Sequence, residues 1–201
     1  MHKEVAGFGD ISNAALVKSA DFNETVGMEG QFVAKCYDKD GNLKWEDEIN
    51  NLVMAVGKQL MLDTLLAGSA YTATVVMGLV SGASTPTYAA ADTQSSHAGW
   101  LESGATNAPT YSGTRKTPAF SSATSSGTTP TNVTTKTTSA AVSFTFTGSG
   151  TVAGCFININ GSSTIDNTTG TLYSAGSFTG GNKTVASTDQ LNVTYSTTAT
   201  S

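Results

Sequence analysis

The chain has 201 residues, a formal net charge of −5, 38% hydrophobic residues and only 12% charged ones, about half the charged share of an average globular domain. With 33 Thr, 23 Ser and 21 Gly, the composition is that of a turn-rich β chain, not of a helical bundle or a highly charged disordered chain. Ten basic residues in an acidic chain argue against a nucleic-acid grip; two His and two Cys without close pairing argue against structural zinc; and no apolar run is long enough for a spanning helix.

Residues 1–30 show weak periodicity and four glycines, and read as an irregular arm with a short helical turn near 13–19. The rest, 31–201, reads as a single β-rich domain. Residues 31–37 alternate, residues 43–49 answer them, and Asp38-Lys39-Asp40-Gly41-Asn42 between them is a turn cluster, which predicts a hairpin. Residues 51–67 predict the one helix. Asn50 or Asn51 is its cap, Val53, Val56, Leu60, Met61 and Leu65 form its apolar stripe, and Gly68 stops it. Gly57 costs such a helix about 1 kcal/mol against Ala, which suggests that a strand passes close to it.

Residues 72–80 predict a strand, and the nearly continuous apolar run 74–80 within them predicts burial on both faces. Residues 92–141 are broken by Pro109, Pro118 and Pro130. Short strands are expected near 99–102 and 119–121, and the Ser/Thr-rich stretch 121–138 reads as a loop. From residue 141 onward, strands are predicted at 141–146, 151–158, 171–178, 184–186 and 190–195, separated by Gly-containing turns. That spacing predicts an antiparallel β-sandwich or jelly roll.

No constellation with a clear chemistry emerges. Asp38, Asp40 and Asn42 start like a calcium loop, but Gly41 falls at position 4 and Ile49 at position 12, where the loop requires Gly at 6 and an acid at 12. His97 lies near Ser95, Ser96, Asp92 and Glu102 in sequence only, and a catalytic triad is a matter of geometry. Of Glu46, Asp47 and Glu48, strand alternation puts the two glutamates on one face and Asp47 on the other, a solvated strand end more than a pair of catalytic carboxylates. The expectation is a protein without enzymatic activity or cofactor. The N-terminus lacks the apolar core of a signal peptide, so Cys36 and Cys155 are expected as free thiols.

Charge is unevenly spread. Residues 1–63 hold six basic and eleven acidic residues, whereas 64–201 hold four of each. A surface so poor in charge has few groups to desolvate when other chains pack on it. The adjacent pair Arg115 and Lys116 is a candidate contact for an acidic neighbour, against the plainer reading of a solvated loop. Trp100 and Tyr111, with Tyr88 and Phe120, are candidates for an aromatic groove, against a place in the core.

The hairpin ending in Trp45, then Asn50-Asn51-Leu52-Val53, Gly57 and Leu60–Leu66, resembles a module of tailed-bacteriophage virion proteins. Residues 76–80, 170–178 and 189–195 fit the same pattern, so that the resemblance covers most of 31–196. It implies a virion component made in the host cytoplasm, assembled with copies of itself and with the major capsid protein, and engaging neither nucleic acid nor membrane. The leading expectation is a head decoration (cement) protein that bridges capsid subunits, with the arm and the 121–138 loop as clasps. The alternative is a tail fibre or tail-tip component that binds the host surface. The absence of heptads or a shaft repeat favours the head.

Overall fold

A computed structural model of the protein describes residues 27–66, 72–126 and 133–200. The described residues fold as an antiparallel β-sandwich with one helix. The strands are β1 (Gly27–Tyr37), β2 (Leu43–Val53), β3 (Val75–Ser81), β4 (Glu102–Ser103), β5 (Thr124–Ser126), β6 (Val133–Thr137), β7 (Val142–Thr145), β8 (Gly150–Ile159), β9 (Thr171–Ser177), β10 (Lys183–Val185) and β11 (Gln190–Thr200); the helix α1 (Ala55–Leu66) follows β2.

One layer runs β5-β6-β11-β1-β2 and the other β9-β8-β3-β4, and they are joined through β2. Most of β2 pairs with β1, but its last residues, Leu52 and Val53, pair with Ala175 and Ser174 of β9. A strand that leaves one sheet for another makes the corner of a sandwich. β11 pairs with β1 over its whole length. On its other edge it takes β7 at residues 190–193 and β6 at residues 196–200.

Alternation along the strands builds two cores. Phe32, Cys36, Ile49, Phe144, Leu191 and Val193 from the first layer meet Met77, Leu79, Cys155 and Ile157 from the second. On the other face of the second layer, Val80, Phe156, Leu172 and Ala175 pack with Met54 and Trp100. The strand expected at 72–80 begins only at Val75, and residues 72–74 are exposed; from Val76 onward burial on both faces holds, because the long connection after β3 covers the outer side of β3, β8 and β9.

Several local expectations are corrected. Residues 27–30 of the supposed arm belong to β1; residues 1–26, with the helical turn expected there, lie outside the described residues, as does Gly68. Asn50 and Asn51 lie in β2 and cap nothing. The helix begins at Ala55, where the amides of Met54 and Ala55 donate to the carbonyls of Tyr173 and Ala90, so tertiary backbone does the work of a capping side chain. Much of what is described of the stretch 121–138 is strand and not loop. β5 and β6 form a hairpin there, with Thr124↔Thr135 and Ser126↔Val133 in register, because Thr suits a pleated strand as well as it suits a loop. The strand expected at 119–121 is a single bridge, Phe120↔Thr138, and the one near 99–102 is β4. β11 runs five residues beyond Tyr195.

Gly57 behaves as its cost implied. A Cβ there would lie 2.7 Å from the Tyr173 carbonyl oxygen and 3.0 Å from its Cα, so only glycine lets α1 settle onto β9. Gly176 serves the sheet corner in the same way: a Cβ would meet Ile49 Cγ2 at 2.6 Å and Asn51 Cα at 3.0 Å.

Candidate functional site: an apolar helix face and a stapled loop layer

Only Gly57 of α1 is buried. Met61 and Val56 reach the cores from the side, and the Tyr173 hydroxyl donates to Met61 Sδ at 3.5 Å. The expected stripe of buried residues is therefore only partly realised. Leu62, Leu65 and Leu66, at i, i+3 and i+4, are 61%, 77% and 80% exposed, and Leu52 just ahead of the helix is 38% exposed. Each such leucine forgoes about 1.5–3 kcal/mol of burial. Leucines scattered singly over a surface are ordinary, but three on one helix face form an apolar face without a partner among the described residues.

The loop layer is held by a buried ion pair. Arg115 donates from Nε and Nη2 to Glu102 Oε1 and Oε2 at 2.7 and 2.6 Å, a bidentate fork. Its Nη1 donates to the Ser162 carbonyl and its Nη2 also to that of Asn167, while the Asp166 amide donates to Glu102 Oε2 at 2.9 Å. The guanidinium sits 5.4 Å from the Phe156 ring centroid. Arg115 is thus no solvated loop residue: with 2% exposure it staples β4 and the 111–116 and 162–167 segments together. Burial of both charges is tolerable because nearly every lone pair and proton has a partner.

The other residues expected at an interface are placed as follows. Lys116 bridges Met77 through two backbone hydrogen bonds, and its ammonium donates to the Ser112 carbonyl and lies 5.7 Å from the Tyr111 ring. Tyr111 packs edge-on against Phe144 in the inner core. Trp100 lies in the outer core, stacked on the His97 ring at 3.8 Å, and its indole N–H donates to Asp92. Tyr111 and Trp100 belong to different cores, so no shared aromatic groove forms from them. His97 acts as the lid of Trp100; its Nδ1 lies 3.1 Å from the Trp100 carbonyl.

Asp38, Glu46 and Asp47 of the first third hold structural contacts as well. Asp38 Oδ1 accepts from the amides of Asp40 and Asn42, closing the hairpin turn. Glu46 pairs with Lys35, while Asp47, on the opposite face, takes Lys183, the Thr179 hydroxyl and the Gly180 amide. Lys44 pairs with the buried Asp189. Among the described residues no three His, Cys, Asp or Glu side chains converge as metal ligands, and no helix is long and apolar enough to cross a membrane.

Beside the staple lies a cavity of about 210 Å³ lined by Gln94, His97, Leu101, Glu102, Asn107 and the 166–168 segment. Gln94 is 2% exposed; its amide nitrogen donates to the Asn167 carbonyl, but its Oε1 has no partner. An orphaned buried acceptor costs about 1–3 kcal/mol. A larger hollow of about 460 Å³ at the β1–β2 turn is lined mostly by surface residues such as Lys39, Gly41 and Thr188 and has no such orphan.

No family model matches the sequence, and no curated protein or solved structure is similar to it.

Proposed function

We propose that this chain is a non-enzymatic structural subunit of a phage particle, a head decoration protein that packs on major-capsid subunits and stabilises the shell. The observation that carries the reading is the apolar face of α1, with Leu62, Leu65 and Leu66 turned to solvent. Beyond the helix the chain is poor in charge: residues 64–201 hold eight charged side chains, of which Arg115 and Glu102 are spent on each other in the interior. Association through this face removes apolar surface from water at little desolvation cost. The capsid as partner comes from the resemblance of residues 31–196 to phage virion modules. A subunit that binds only the assembled shell stabilises it by mass action.

The test is co-sedimentation of the purified protein with empty heads of the phage that carries the gene, followed by heating. Saturable binding in fixed ratio to the capsid protein, with a raised disruption temperature, is expected. The double substitution Leu65→Glu, Leu66→Glu weakens that binding at least tenfold and leaves the melting temperature of the free protein nearly unchanged. Heads that neither bind the protein nor gain stability from it overturn the reading.

A further inference from the structure

We infer that the exposed face of α1 pairs, in the free protein, with the same face of a second copy of this chain run antiparallel to it. The inference starts from Lys58. Among the described residues every other lysine and arginine has a partner: four lysines and Arg115 hold carboxylates, and Lys116 and Lys136 donate to carbonyls. Lys58 is exposed and has no partner among the described residues.

Its place on the helix gives that observation a direction. The close approach of Gly57 to Tyr173 fixes the rotation of α1 on β9, so the side away from Gly57 faces outward. Lys58, Leu62 and Leu65 follow one another at i, i+4 and i+7 on that side, with Gln59 and Leu66 beside them, and all five are exposed. The outward face is therefore polar at its start and apolar at its end. The charges also stand at the wrong ends for the dipole of the helix itself. The first turn has no acid and the last turn no base. Lys58 lies toward the N-terminus and the exposed Asp63 toward the C-terminus, where the dipole disfavours each of them.

A second α1 laid antiparallel answers all of this at once. With the two-fold axis at Leu62, the two Leu62 side chains meet, and Lys58 and Gln59 of each copy lie over Leu66 and Leu65 of the other. The methylene stem of Lys58 covers leucine, while its ammonium reaches the C-terminal end of the facing helix, which is the negative end of the dipole and also carries Asp63. A parallel pair would set Lys58 against Lys58 and Asp63 against Asp63. The face thus holds both halves of its own complement, and a two-fold contact of this kind closes at two copies.

The patch is small. A helix of 12 residues is about 18 Å long and about 10 Å wide, well short of the roughly 800 Å² that each partner gives to a standard interface. The pair is therefore weak, with a Kd of about 100 µM, and adds little to the melting temperature at micromolar concentration. The shell contact proposed above uses the same face, so a copy on the shell has given up its partner. The pairing stands on the residues of α1 and does not rest on that reading.

The test is sedimentation equilibrium of the full chain without heads, over concentrations from about 10 µM to about 1 mM, which bracket that Kd. A reversible monomer–dimer equilibrium with no larger species is expected. Leu62→Glu sets two carboxylates at the axis; it should weaken the dimer at least tenfold and leave the melting temperature of the dilute protein unchanged, because Leu62 is exposed. Direction is read with a short bismaleimide. The variants Lys58→Cys and Leu66→Cys should cross-link when mixed, and neither to itself, while the native thiols are buried. The inference is overturned by a chain that stays monomeric at the highest concentration, by oligomers larger than two, by a dimer that Leu62→Glu leaves intact, or by Lys58→Cys cross-linking to itself. A monomer that still binds heads overturns the pairing alone, and a dimer that leaves heads bare overturns the shell reading alone.

Discussion

At the scale of single residues, the decisive pair is Glu102 and Arg115. Their side chains are 3% and 0% exposed, so neither charge can be hydrated if the other is removed. The substitution Glu102→Ala is expected to cost about 3–5 kcal/mol, read as a lowered urea midpoint. Replacing both charges by apolar residues should recover a large part of that loss, because the uncompensated charge and not the missing attraction dominates it. The two thiols test the core in another way. Burial, with a smaller push from Asp189, raises the Cys36 thiol from 9.0 to about 11, and burial also raises Cys155. Both should resist a thiol reagent at pH 8 in the native protein and react fully in urea. Since unfolded Cys36 ionises near pH 9 and folded Cys36 only near 11, the unfolded chain sheds its proton first. Stability from this group is complete below pH 9 and falls as pH rises through that window. Tyr88, raised by burial from 10.0 to about 12, extends the fall. A urea midpoint that stays level between pH 8 and 11 would contradict this burial. Asp47 gives the acid counterpart. Burial would raise its carboxyl, but Lys183, Thr179 and the Glu48 amide hold it below the usual value, so its contribution is present above pH 4 and is lost as pH falls further.

At the scale of elements, α1 shows a conflict between local preference and packing. Gly57→Ala should stabilise an isolated helix by about 1 kcal/mol. In this protein a Cβ at 57 meets the Tyr173 backbone, which lies in a sheet and cannot give way. The substitution is expected to lower the melting temperature despite the better propensity; an increase would mean that α1 is free to move off β9. β2 shows why the helix starts late. Leu52 and Val53 gain partners in β9, and a strand extension that joins two sheets outweighs an Asn cap. The alternating hairpin of β1 and β2 was readable in the sequence because side chains on a half-buried strand repeat every second residue. The β5–β6 hairpin was not readable, because a run of Ser and Thr has no apolar alternation to separate strand from loop.

At the scale of the whole molecule, the chain holds few charges for its length, and the described residues carry an apolar helix face. Association through that face should be nearly indifferent to ionic strength. Under the proposed function, binding to empty heads measured at 0.1 and 1 M NaCl is expected to agree within a factor of about two, whereas an interface built on exposed charges would weaken severalfold as the Debye length shrinks from about 10 to 3 Å. A steep loss with salt would place the contact on the acidic first third instead.

The amino-acid sequence alone determined the β class, the hairpin, the doubly buried β3, the close approach at Gly57 and the strand spacing of the last sixty residues, since each rests on a local period or on the geometry of one residue. Tertiary structure alone decided the inner placement of Arg115, Trp100 and Tyr111, the exposure of the α1 leucines and the orphaned oxygen of Gln94. Arg115 and Glu102 are thirteen residues apart, and nothing in their neighbours signals that a loop layer will close over both. Burial is a property of what the rest of the chain lays on top of a residue, and in a sandwich that cover comes from segments far away in sequence.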